Sequence, residues 1–547
     1  SPMMPEDQAE WLTPRQLNVF YRWIRNGALQ YKLPSTCYIT PLTELDFPSA
    51  KQCKACHPKQ YSEWSRSMHA YSQHSPVFEA FNLTLVERTA GTIGTFCTRC
   101  HTPIGTALGE NESLRNANRS RISREGVTCI VCHRRPKASY KSNGRVYVKP
   151  GDALESCVFG PFESGVQSEL GSHKSTQFPY LRSSQFCGEC HDVISPVGIR
   201  LEEAFSEWNN SPAAKKGITC QHCHMGNEPG RPIFEDQRPL GYAAVVPGAD
   251  PNALPLRHLS THTFVGPDYS MLPDTEFPEK LDWMYEFDYR NPAHLTPHRA
   301  KTLEKIRRHN RRLNELARND RYRLLRNSSR LHVAHPRQVA CGSTLDVRVD
   351  VESLTAGHSF PAGFTAERQV WVSVELVDAA GQHVFSSGYF DSNNDLCDNH
   401  SHDVLAGKLK PDRHLLNFQN KFVALGHKGT EVPVVLTVNR NLSPINVLRP
   451  GSGVFQAHGR PTGFRIAKYS LAPLRSGGKT YSIGVPKSPG PYHLRVRLSY
   501  RHIPPALLDQ VGIPHLKHLL EVVVIDEYQS AIWVGPRTAR LQLGVSR

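Results

Sequence analysis

The pattern C-x-x-C-H occurs five times in the chain, as CKACH at 53–57, CTRCH at 97–101, CIVCH at 129–133, CGECH at 187–191 and CQHCH at 220–224. With 14 cysteines and 27 histidines in 547 residues, composition alone gives about 0.02 chance occurrences. Two thiols and an imidazole are therefore selected together, and the fold has to serve that triplet.

Three chemistries use some part of the triplet. Paired C-x-x-C knuckles build cysteine-rich zinc sites, but zinc needs no histidine after every second cysteine, and an odd number of knuckles leaves one over. A redox dithiol needs one motif in a βαβ setting. Covalent haem uses all three groups: cysteines three apart on one helical turn reach the two vinyl groups of a porphyrin, and the next residue sets an imidazole under the iron. The reading is five haem c groups. Cys53, Cys56, Cys97, Cys100, Cys129, Cys132, Cys187, Cys190, Cys220 and Cys223 are the attachment residues, with His57, His101, His133, His191 and His224 as proximal iron ligands.

An iron with a protein ligand on both faces is built for electron transfer, whereas an open face binds and transforms a small molecule. The histidines left after the motifs far exceed the number of sixth ligands needed, so mostly bis-histidine haems are expected. The candidates are His69 and His74 in EWSRSMHAYSQH, His173 in GSHKS, His258 and His262 in RHLSTHTFVG, and His358 in TAGHSFPAG. His222, inside CQHCH, is expected to point elsewhere on its own turn.

The stretch QCKACHPKQYSEWSRSMHA resembles the opening of multihaem cytochromes related to the tetrahaem electron carrier of ammonia oxidisers. SSQFCGECH, SEWNNSPAAKKGITCQHCHM and THTFVG are similar to segments of the same family. The resemblance covers about residues 50–270 and implies closely stacked haems, electron transfer, and distal ligands at His69 and His262. A fifth motif departs from the pattern of that family. Two enzyme families of related architecture fit less well. Pentahaem nitrite reductases carry lysine in place of one motif histidine, and no C-x-x-C-K occurs here; hydroxylamine oxidoreductases have more motifs and a tyrosine-linked catalytic haem. MMPEDQAEWLTPRQLNVFYRWIRNGA is similar to the end of a class I cytochrome c, which would make Met3 or Met4 an axial ligand. The alternative is a structural helix.

The formal charge of +15 would ordinarily suggest nucleic acid or an anionic surface, but no nucleic-acid motif accompanies it. Five haems with their propionates would remove roughly five to ten positive charges. The remaining basic balance suits docking to acidic redox partners. No apolar run reaches eighteen residues and no segment reads as a signal peptide, so no transmembrane span is expected in this chain.

The organisation read from these patterns is α+β and multidomain. A segment 1–50 precedes a pentahaem domain of short helices and loops at 51–300. A basic linker helix follows at 301–335, with eleven Lys or Arg in 301–330 against three acidic residues, and Leu303, Ile306, Leu313 and Leu316 at helical spacing. It is either a packed connector or a docking face for an acidic partner. From 336 to 547 the period becomes two: LDVRVDV, QVWVSVELV, VPVVLTV, YHLRVRLSY and LLEVVVID predict an antiparallel immunoglobulin-like β-sandwich. HSHD at 400–403, near Asp391, Asp395 and Asp398, is either a metal site or a polar loop. Covalent haem of this kind is attached outside the cytoplasm, where disulfides persist, so a periplasmic or extracellular location is expected and Cys37, Cys157, Cys341 and Cys397 can form bridges. The function expected is electron transfer among other redox proteins or cytochromes, with assembly into homo- or hetero-oligomers. The alternative is an oxidoreductase acting on a small nitrogen or sulfur compound at one open haem.

Overall fold

The basic run beyond residue 296 folds as one helix, Pro297–Ser328, that passes without a loop into the strand Ser329–Pro336, and this join divides the chain. Thr296 caps the helix by accepting from the Arg299 N–H, and Pro297 at the first position gives up no hydrogen bond. Ile306, Asn310, Leu313, Arg321, Leu324 and Ser328 form the buried stripe. Leu316 lies off that stripe and is 46% exposed. Asn310 is fully buried, and its amide donates to the Asp274 and Glu279 carbonyls at 2.7 Å while accepting from the Glu279 N–H at 3.1 Å. That exchange clamps the helix over 274–279.

The computed structural model describes residues 41–547 except 90, 92, 155, 164–172, 196–199, 247, 249, 251–253, 426–430, 435–463, 537–542 and 546–547. Within it Thr43–Arg547 forms one unit. Met3, Met4 and Cys37 lie outside the described residues.

Beyond the join, two sheets share one core. One has the order His383–Ser387, Gln369–Val377, Gly490–Arg501, Val523–Gly535, Gln338–Ala340, with Leu416–Asn417 also paired to Gln369–Val377. The other runs Ser476–Gly484, Thr344–Ser353, Ser329–Pro336, Leu543–Val545. Period-two patterning does the work here: Leu345, Val347, Val349 and Val351 from one sheet meet Val370, Val372, Val374, Leu494, Val496 and Leu498 from the other, all 0–1% exposed.

The sheets depart from expectation in three places. The first strand begins at Ser329, inside the expected linker, because Leu331, Val333 and His335 already alternate inward beneath a basic surface. Gln338–Ala340 pairs parallel to Val523–Gly535, so that sheet is mixed and not antiparallel throughout. The chain steps from one sheet to the other at Arg337, whose carbonyl accepts from the Trp533 N–H at 2.9 Å, and the new strand runs alongside its neighbour. LLEVVVID becomes strand only from Val523, since Pro514–Leu519 forms a 3-10 turn. Of VPVVLTV the strand Glu431–Val434 is described, in a third sheet with Lys421–Leu425 and Phe464–Ala467.

Residues 43–296 are short helices and long connections with small apolar clusters. No helix among the described residues is long and apolar enough to cross a membrane.

Candidate haem centres

Each motif sits on or beside one turn of helix. Cys129–His133 and Cys220–His224 are such turns outright, Thr98–His101 holds most of a third, and Cys53 and Cys187 lie in Ala50–Lys54 and Ser184–Gly188. Spacing of three on a helical turn puts both thiols on one side, and backbone bonds tie the histidine behind them: the His57 N–H donates to Cys53 at 2.8 Å and the His191 N–H to Cys187 at 2.9 Å.

All five motif histidines have their Nδ1 engaged. His57 meets the Ala243 carbonyl at 2.8 Å, His101 the Ser72 carbonyl at 3.0 Å, His133 the Phe159 carbonyl at 2.8 Å and His224 the Val265 carbonyl at 3.2 Å. His191 alone meets a carboxylate, Glu202 Oε1 at 2.9 Å. A proton held on Nδ1 leaves the Nε2 lone pair free for a metal.

Four of these imidazoles face a second one. The ring centroids are 6.2 Å apart for His57 and His173, 6.3 Å for His133 and His262, 6.1 Å for His191 and His69, and 6.2 Å for His224 and His358. That spacing is far too wide for ring contact. An ion bonded to a nitrogen of each ring at about 2.0–2.1 Å would put the centroids roughly 6 Å apart, so the pairs fit a six-coordinate haem iron. Burial pulls the pKa of His69 and His262 down to about 3 and of His224 to about 4, and also lowers His133 and His173, which keeps these rings neutral. At His191 burial acts in the same direction but Glu202 outweighs it, raising the pKa to about 9.

Among the described residues His101 has no second imidazole at this spacing. Phe78 lies flat against its ring, with centroids 3.8 Å apart and planes 6° apart, which fixes the ring's rotation. His74 is buried away from the pairs, its pKa lowered to about 4 by burial and by Lys280 and Arg124. His258 Nδ1 meets the Arg238 carbonyl at 2.7 Å, and His222 accepts from the Thr219 N–H at 2.9 Å and packs on Phe234. Neither faces a motif histidine.

The motifs are contiguous in space. Cys53 lies against Cys129, Cys187 against Cys220, and Cys190 against Cys100. Buried Arg135, two residues past His133, is ion-paired with Glu189 inside CGECH. CGECH is therefore the junction, touching the second, third and fifth motifs. Sequence reasoning missed Glu202, Phe78 and Arg135, because nothing in the motif spacing marks them.

The remaining candidates fall away from this array. The Asp391 carboxylate accepts from Ser401 Oγ at 2.6 Å and from the Asn393 and Asp395 N–H groups at 2.8 Å, and Asp398 pairs with Lys421 at 2.7 Å. No group of three or more metal-donor side chains assembles there or elsewhere among the described residues. Cys157, Cys341 and Cys397 carry free thiols.

Residues 52–134 match the family described as cytochrome c554 and c-prime. A penta-heme cytochrome c552 from Thermochromatium tepidum has a similar fold, with a TM-score of 0.52 and 17% identity over 89% of this chain and 100% of that one. No curated protein matches. The two similarities support a multihaem c-type cytochrome with covalent haem c.

Proposed function

We propose that the protein is an electron conduit carrying five haem c groups, one on each C-x-x-C-H motif, and that His57/His173, His133/His262, His191/His69 and His224/His358 are the axial pairs of four of them. The carrying observation is the spacing of these four pairs, 6.1–6.3 Å between ring centroids. Bound haem supplies one-electron chemistry; the chain supplies the facing imidazoles, with the Nδ1 atoms of the motif histidines anchored by hydrogen bonds. Contiguity of the motifs supports transfer from one haem to the next. The attachment chemistry supports a periplasmic or extracellular location, and the two-sheet region is read as an immunoglobulin-like cover over the array.

The haem on His101 carries the second reading. With Phe78 beside its imidazole and no facing histidine among the described residues, it is the place for an open coordination position and small-molecule chemistry. Haem quantification with electron paramagnetic resonance of the oxidised protein tests both readings. Five haems are expected, four low-spin and one high-spin that shifts with cyanide, nitrite or hydroxylamine. Five low-spin signals would end the second reading, and fewer than four would overturn the first.

A further inference from the structure

Among the described residues, Glu202 is the one carboxylate in contact with a motif imidazole. The other four motif histidines spend their Nδ1 proton on neutral backbone carbonyls. Its position is built in. The strand Val193–Ile194 starts two residues after His191 and pairs antiparallel with Arg200–Glu202, Val193 opposite Glu202, so the pairing returns the carboxylate to the ring it serves. The Glu202 side chain is only 11% exposed. Besides His191, the ionisable groups its charge acts on are Arg368, whose guanidinium is itself bonded to Asp268 at 2.6 Å and to the Ala362 carbonyl, the acidic Glu367, and His101.

We propose that Glu202 is a positioning residue that lowers the reduction potential of the haem held by His191 relative to what a carbonyl acceptor would give. A carboxylate drawing on the Nδ1 proton moves electron density toward Nε2, makes the ring a stronger donor to the metal, and favours oxidised iron over reduced iron. The negative charge acts in the same direction through a poorly screened path. Because CGECH touches three other motifs, the effect falls on the junction of the array: electrons passing from the first and third motifs toward the second or fifth cross the site whose reduction Glu202 makes harder. This inference rests on the axial pairing proposed above.

The test is a potentiometric titration of the fully loaded protein and of Glu202→Gln, followed by haem absorbance, with haem content and low-spin signals measured on the same samples. One component of the titration is expected to move to more positive potential in E202Q while the rest stay in place. Glu202→Asp, which keeps the charge one methylene further back, is expected to move that component less. Superimposable titrations, a common shift of every component, or equal shifts from the two variants would overturn the role of Glu202. Loss of low-spin signals in the unaltered protein would instead overturn the pairing on which it rests, so the two failures read out separately. Should E202Q fail to load its haems, the comparison of E202D with the unaltered protein carries the test alone, and an unmoved component there counts against the proposal.

Discussion

Between the two sheets of 329–545, apolar side chains from both sides close on one another in a continuous core that runs from Leu331 to Val534. In 43–296 the apolar side chains gather instead in small separate groups, such as Phe47, Ile104, Ile122, Ile130, Val131 and Val148, and between the groups stand imidazoles held about 6 Å apart in facing pairs. The first region satisfies its hydrophobic pattern with its own residues. The second has too little apolar surface to do so, and its long connections make physical sense if cofactors supply the missing packing. The boundary between them is mixed: Val77, Phe81 and Met271 pack with Ile503, Leu507 and Leu508, while Ser359 donates twice to Glu207 at 2.8 Å, and Arg368 and Tyr500 from the sheet side bind Asp268 at 2.6 and 2.9 Å.

This contrast breaks most visibly if the cofactors are withheld. Replacing Cys187 and Cys190 by alanine removes covalent attachment at the junction motif. Helical circular dichroism and protease resistance across 43–296 are expected to collapse, while a resistant β-rich fragment from 329 onward survives. Joint loss of both regions would mean that the sheets depend on the array as well. Truncating the sheet core does the reverse. Leu494→Ala, at a position 1% exposed, is expected to cost about 2–5 kcal/mol in the unfolding of the sheets and to leave the haem absorbance unchanged in the folded protein.

A smaller effect is expected at the boundary itself. Burial raises the Glu367 carboxyl to about 7, with Arg368 opposing and Asp268 and Glu202 adding to the rise. The folded state then holds a proton that the unfolded chain, titrating near 4.3, has released. Stability is therefore expected to fall as pH rises from about 4.3 through 7 and to stay lower above it, by on the order of 3–4 kcal/mol. Glu367→Gln should flatten that slope, measured as denaturation midpoints at pH 5 and pH 8; an unchanged slope would assign it to another group.

Much of this could be read from the chain, for a reason that differs between the regions. Strands such as Thr344–Ser353 and Gln369–Val377 follow from alternation, which is local, and the motifs follow from a chemistry that needs fixed spacing. Axial pairing is not local. His69 lies twelve residues after His57 yet faces His191, and His358 comes from beyond the long helix to face His224. Glu202 was out of reach for the same reason, as one carboxylate whose meaning depends on a hairpin register. The strand Ser329–Pro336 was hidden because it follows the basic helix without a break and its buried positions include Ser329 and His335 among the apolar ones.

Because His358 reaches across the boundary, it sharpens the comparison one residue at a time. His358→Ala is expected to convert one low-spin signal to high-spin and to leave the other low-spin signals in place, although the substituted residue belongs to the sheet side. His74→Ala and His258→Ala are expected to leave the low-spin count unchanged. A lost signal in either of those two variants would reassign the axial ligands.

The smallest change in stability, and the largest in kinetics, is expected on the helix that joins the regions. Arg311, Arg318, Arg321 and Arg323 are each ion-paired, to Asp274, to Glu521 twice, and to Asp320 and Glu228. Lys301, Lys305, Arg308 and Arg312 are exposed, and no ion pair to them is found among the described residues. Their spacing of four, three and four places them along one helix face, away from buried Asn310. Beneath that helix, Glu279 binds both Asn310 and Lys54 of the first motif, so the basic face overlies the first-motif end of the array. An acidic redox partner steered to this face would deliver or collect electrons there. Reversing Lys305 and Arg308 to glutamate should slow reduction by an acidic electron carrier by ~10-fold or more at low ionic strength, with the rates converging as salt screens the encounter, and shift stability by only about 0.5 kcal/mol. Rates that fall equally at all salt concentrations would point to a damaged helix, and unchanged rates would place the docking face on the sheet region instead.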